Sequence, residues 1–149
     1  AVGSTLYKME WLAKDGQKDA NFRRGGYFAS VIGFEHTLYQ AIGDNGDLGF
    51  LLEYNFDSRR SRASDIMQDD VFVAARLSLN DPEDTQMLLG SIIDLDGDGQ
   101  IYQVDFGRRI NDSLTFGMQG AIYQNGRPGS NLYILRQDSW LEINFKQYF

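Results

Sequence analysis

Apolar and polar side chains alternate with a period of two along most of the chain, as in strands that set one face against an apolar medium. In the clearest run, Leu48, Phe50, Leu52, Tyr54 and Phe56 fall on one side and Glu53 and Asn55 on the other. The same rule sets Val71, Val73, Ala75, Leu77 and Leu79 against Arg76 and Ser78, and Tyr102, Val104 and Phe106 against Gln103, Asp105 and, further on, Arg109. Leu114, Phe116, Met118 and Ile122 oppose Thr115 and Gln119; Leu141, Ile143, Phe145 and Phe149 oppose Glu142, Asn144, Lys146 and Tyr148. Near the start, Tyr7, Met9 and Trp11 oppose Lys8 and Glu10. Between residues 27 and 39 both sides are largely apolar, and turning Phe28, Ile32, Phe34 and Leu38 outward sends Glu35 inward. Residues 85–95 also read on both sides, with Met87, Leu89 and Ile93 the more apolar one. Pro82 near the start of 81–93 leaves an amphipathic helix as the competing reading there.

The gaps between these segments are long at 13–26, 57–70 and 124–138 and short at 43–47, 80–84, 94–99 and 111–113. Long and short links nearly alternate, with 94–99 out of step. Short turns at one end and long loops at the other are the wiring of transmembrane β-barrels. The expected fold is all-β: an antiparallel up-and-down transmembrane β-barrel of about eight strands, or the C-terminal section of a larger barrel, with residues 1–149 as one domain. Alternation does not by itself decide which face meets water. A soluble calycin-like barrel inverts the polarity and closes its apolar face around a small apolar ligand. Aromatic placement favours the membrane, because Tyr7, Trp11, Tyr54, Phe56, Tyr102, Trp140 and Phe149 stand near predicted strand ends, where an interfacial girdle lies.

Composition narrows the classes. A length of 149 residues suits one core, and 13% aromatic residues with 16 Gly against 2 Pro suit strands joined by glycine turns. Hydrophobic residues at 42% and charged residues at 23% exclude disorder. No apolar run approaches the ~20 residues of a membrane helix, a test that leaves a β-barrel open. With 21 acidic against 14 basic residues the net charge is -7, which argues against nucleic acid as a partner. The absence of cysteine removes disulfides, thiolate nucleophiles and thiolate metal sites without fixing the compartment. The opening Ala1-Val2-Gly3-Ser4 shows no basic segment followed by an apolar one, so a secretory signal is expected to have been removed or to lie upstream.

The C-terminus carries the most specific motif. Residues 140–149 form an amphipathic strand pattern in which Leu141, Ile143 and Phe145 alternate toward a terminal Phe149, with Gln147 interrupting the series. This resembles the C-terminal signal strand that the barrel assembly machinery recognises in Gram-negative outer-membrane β-barrels. The runs Gly33-Phe34-Glu35-His36-Thr37, Asp47-Leu48-Gly49-Phe50-Leu51-Leu52-Glu53-Tyr54, Asp70-Val71-Phe72-Val73-Ala74-Ala75-Arg76-Leu77 and Asn80-Asp81 resemble the C-terminal half of a group of larger, poorly characterised proteobacterial outer-membrane barrel proteins. The resemblance implies a bacterial outer-membrane location, contact with outer-membrane lipid and lipopolysaccharide, and a wall completed by this chain, by further strands or by another subunit. It implies no catalytic activity.

Three sets of residues are candidates for chemistry. Lys8, Glu10, Glu35, Glu53, Arg76, Asp105, Arg109, Glu142 and Lys146 form the inferred inner face, where charges of both signs are expected to pair across strands in a lumen that is filled or passes small solutes. Asp94, Asp96, Asp98 and Asp105 match positions 1, 3, 5 and 12 of a calcium loop, with Gly99 at position 6. A tight hairpin also demands Asp96-Gly97-Asp98-Gly99, so turn and calcium site both stand. His36, the single histidine, is expected to be a packing residue without a local partner, and with no nucleophile motif in view an enzyme is not expected. Arg59, Arg60 and Arg62 form a basic loop cluster that is either solvated or faces lipopolysaccharide or an acidic solute.

Overall fold

The computed structural model describes residues 3–63, 67–130 and 132–149. Eight strands form one antiparallel sheet in chain order: β1 (Gly3–Lys18), β2 (Arg24–Ile42), β3 (Gly46–Asp57), β4 (Asp69–Ser78), β5 (Gln86–Asp94), β6 (Gly99–Asn111), β7 (Leu114–Asn125) and β8 (Trp140–Gln147). Two 3-10 turns, Arg60–Arg62 and Leu132–Leu135, lie in the links, and no α-helix occurs among the described residues. The all-β, up-and-down expectation holds. Closure does not: β1 and β8 are the two edges of the sheet and do not pair with each other. These edges are unequal, with 16 residues in β1 and 8 in β8, whereas a closed barrel needs a hydrogen-bonded seam between its first and last strands.

The links separate by end. Residues 19–23, 58–63, 67–68, 95–98, 126–130 and 132–139 lie at what we call the loop end, and 43–45, 79–85 and 112–113 at the turn end. The 94–99 link is therefore a short connection on the loop side, and the wiring is unbroken. The long gap expected at 13–26 is mostly strand, because β1 and β2 run on to Lys18 and from Arg24. A register shift between Lys14 and Gln17 absorbs the intervening residues, with Gly16 at φ +69°. The helix considered for 81–93 is replaced by β5. There Asp81 captures the Thr85 backbone N–H and hydroxyl, both at 2.7 Å, and so closes a local turn instead of starting a helix.

Register divides the sheet into two faces. Cross-strand rows run through Leu38, Leu48, Leu77, Met87, Phe106, Met118 and Ile143, and through Tyr7, Phe34, Leu52, Val73, Ser91, Tyr102 and Ile122. The outward assignment of Phe28, Ile32, Phe34 and Leu38, with Glu35 opposite, agrees with this register. On the other face a small core sits at the loop end, where Ile92, Ile101 and Leu132 are buried and Met67, Phe72, Tyr123 and Leu135 pack against them. Leu132 and Leu135 belong to the 3-10 turn Leu132–Leu135, so this turn packs over the face that carries the charges.

Candidate functional site

The apolar face is the largest feature. The rows through Leu48, Phe50, Leu52, Tyr54 and Phe56 contain a single charged side chain, Asp69, at the start of β4. Its charge is engaged: Tyr54 donates to Oδ1 at 2.6 Å and Arg60 to Oδ2 at 2.7 Å. Leu48 to Phe56 matches the ~9–11 residues with which a tilted strand crosses a bilayer. The side chains are open to the surroundings, with Met9 and Trp11 each 70% exposed and Phe145 66% exposed. Ring contacts extend the face laterally, Phe116 lying 5.9 Å from Phe106 and 5.2 Å from Phe145 between centroids. Such tilted pairs contribute about 0.5–1.5 kcal/mol each beyond burial.

All nine charges predicted to share a face do share one, by register, but they pair far less than expected. Lys8 and Glu53 form an ion pair at 2.5 Å. They stand on β1 and β3 with Gly33 of β2 between them, and the missing side chain lets them meet over the middle strand. Asp105 accepts a hydrogen bond from Gln119 at 2.8 Å. Among the described residues, Arg76, Arg109 and Lys146 have no carboxylate within ion-pair distance. Their cross-strand neighbours are the reason: Gly49 and Leu88 flank Arg76, and Thr115 lies opposite both Arg109 and Lys146.

At the loop end the arginine cluster is turned inward on the chain's own acids. Arg59 forks onto Asp57 and stacks 3.7 Å from the Tyr27 ring centroid, while Arg60 bridges Asp69 and Asp96. The expected free basic patch is thereby reduced to Arg62, 3.9 Å from Asp19. The calcium-loop residues are dispersed. Asp94 Oδ1 accepts the Asp96 and Gly97 N–H groups, Asp96 holds Arg60, and Asp98 holds Arg127 at 2.7 Å, which keeps the Asp98 carboxyl below the usual carboxylate range. Asp105 lies roughly 20 Å further along β6, because an extended strand rises about 3.3 Å per residue. The loop pattern is here a hairpin turn, and among the described residues no group of three or more acidic or histidine side chains gathers as a metal cluster.

Three further placements depart from expectation. His36 has a partner, since its Nδ1 shares a 2.6 Å hydrogen bond with Thr5 Oγ1 of the neighbouring strand, a contact that local sequence does not show. Trp140 pairs with Ala121 on the charged face, not on the aromatic one. Leu141, Ile143 and Phe145 share the apolar face on edge strand β8, while Phe149 lies beyond the strand end and is fully exposed. The chain matches no family model, no curated protein and no solved structure.

Proposed function

We propose that this chain builds the wall of a Gram-negative outer-membrane β-barrel, as a structural or anchoring element with a filled, charged interior or as one section of a larger small-solute porin. One observation carries this reading. The rows from Leu48 to Phe56, whose one charged side chain is the engaged Asp69, lie on the open face, while the Leu132 core and the Lys8–Glu53 pair lie on the other. A membrane barrel has this polarity, with its apolar band outward and its polar groups inside. A soluble calycin-like carrier needs the reverse, with loops capping an apolar cavity. In hydrocarbon the free N–H and C=O groups of β1 and β8 must be satisfied, so the proposal requires these edges to join each other, further strands or another subunit. Outer-membrane lipid, lipopolysaccharide and the barrel assembly machinery are the partners this reading supplies. The role is passive and includes no catalysis.

Purification tests the reading. The folded chain is expected to need detergent for solubility and to migrate faster in gels before heating than after. A chain that stays monomeric and folded in detergent-free buffer would overturn it.

A further inference from the structure

Asp70 and Asp94 stand directly opposite each other on β4 and β5 and are 0% and 2% exposed. Each carboxylate has one oxygen held by backbone amides. Asp70 Oδ2 accepts from Gln68 and Asp69 at 2.5 and 3.0 Å, and Asp94 Oδ1 accepts from Asp96 and Gly97 at 2.9 and 2.7 Å. The second oxygens, Asp70 Oδ1 and Asp94 Oδ2, are buried without a hydrogen-bond partner, and so is Ser130 Oγ. Asp94 Oδ2 and Ser130 Oγ lie on the same side of Gly97, both crowding the position that a Cβ on this residue would take. The nearby bases are committed elsewhere: Arg59 to Asp57, Arg60 to Asp69 and Asp96, Arg127 to Asp98.

Like charges directly opposed destabilise a sheet, and a buried carboxylate oxygen without a partner is costly. A cation between them removes both penalties. We propose that Asp70, Asp94 and Ser130 form a binding site for a hard divalent cation of the Ca²⁺ class at the loop end, between β4, β5 and the segment 126–130. All three ligand atoms are oxygens, the donors that Ca²⁺ accepts in irregular geometry. The amides on Asp70 Oδ2 and Asp94 Oδ1 fix the orientation of both carboxylates, as outer-shell partners do in metal sites. The site shares Asp94 with the calcium-loop pattern but excludes Asp96 and Asp98, and it does not rest on the membrane reading.

The test is calorimetric titration of CaCl₂ into the chelator-treated, purified full chain. Asp70→Asn keeps an oxygen for the two amides and removes the ligand charge. With few protein ligands, binding is expected at roughly 10⁻⁴–10⁻³ M, weakened about tenfold or more by Asp70→Asn and unchanged by Asp98→Asn. If Asp70→Asn fails to fold, Ser130→Ala is the deciding variant and is likewise expected to weaken binding. Absence of Ca²⁺ binding, binding indifferent to the folded variant, or binding abolished by Asp98→Asn would each overturn the proposal.

Discussion

Gly33 shows how a missing side chain organises its neighbours. A Cβ there would lie 2.7 Å from Glu53 Cγ and 2.5 Å from the Leu52 carbonyl oxygen, and a backbone oxygen in a central strand has little room to yield. Gly33→Ala is expected to destabilise the folded form by about 1–3 kcal/mol, as overpacking does. Lys8→Met, which removes only a partly exposed ion pair, is expected to cost about 1 kcal/mol or less. Urea unfolding of both variants checks the order, and Gly33→Ala with unchanged stability would refute the steric role. Two carboxylates at opposite ends of the sheet, Asp81 half-buried and Asp98 exposed, give a pH test. Asp81 is held below the usual carboxylate range by the Thr85 backbone N–H and hydroxyl, and Asp98 by its hydrogen bond to Arg127. In both, the folded value lies below the unfolded value of about 3.9, so each stabilises above that pH and its contribution is lost as pH falls through the folded value. Added salt is expected to move the Asp98 midpoint back toward the ordinary range and leave Asp81 depressed, since salt screens an exposed ion pair more than a local backbone hydrogen bond. NMR titration of the two carboxyls decides it, and an equal salt response at both would count against the assignment.

Single elements are legible in the sequence wherever one face is consistently apolar. β3, β4, β6 and β8 follow the alternation that Leu48–Phe56, Val71–Leu77, Tyr102–Phe106 and Leu141–Phe145 display. β5 was ambiguous because Leu88 and Ile92 are apolar on the face shared with Asp105, and Ile92 belongs to the loop-end core. The extent of β1 and β2 was hidden by Lys14, Asp15, Gly16 and Gln17, a polar run that looks like a loop yet borders a bulged hairpin. The links carry the test of sidedness. An epitope inserted between Pro128 and Gly129 is expected to be labelled on intact cells, and one between Pro82 and Glu83 to be labelled only after the envelope is opened. Equal labelling of both would sink the assigned orientation.

For the whole molecule, the interior decides between a plug and a pore. An eight-stranded barrel is only just wide enough for its own side chains. Here the charged face already carries the Lys8–Glu53 pair and the Leu132 segment over Ile92 and Ile101. If the β1 and β8 edges close on each other, planar-bilayer recordings of this chain alone should show little steady conductance. Neutralising the paired Glu53 should then lower stability more than it changes current. Should the chain be one section of a larger wall, the unpaired Arg76 and Arg109 would line an open lumen, and their neutralisation should shift ion preference. Large stable conductance from the monomer would refute the plug.

The strand class, most of the strands, the placement of nine charges on one face and the end at which most links lie are all legible in the linear order of residues. These follow from a period of two and from turn chemistry, both local properties of the chain. Tertiary structure alone decided what meets across strands: Thr5 beside His36, Lys8 reaching Glu53 over Gly33, and Arg60 joining Asp69 to Asp96. It decided that Asp94 faces Asp70 and that the calcium-loop acids disperse, because register brings together residues far apart in sequence and sends Asp105 down β6. It also left the sheet open, because closure depends on how the two edge strands meet and the alternation within each strand carries no information about that seam.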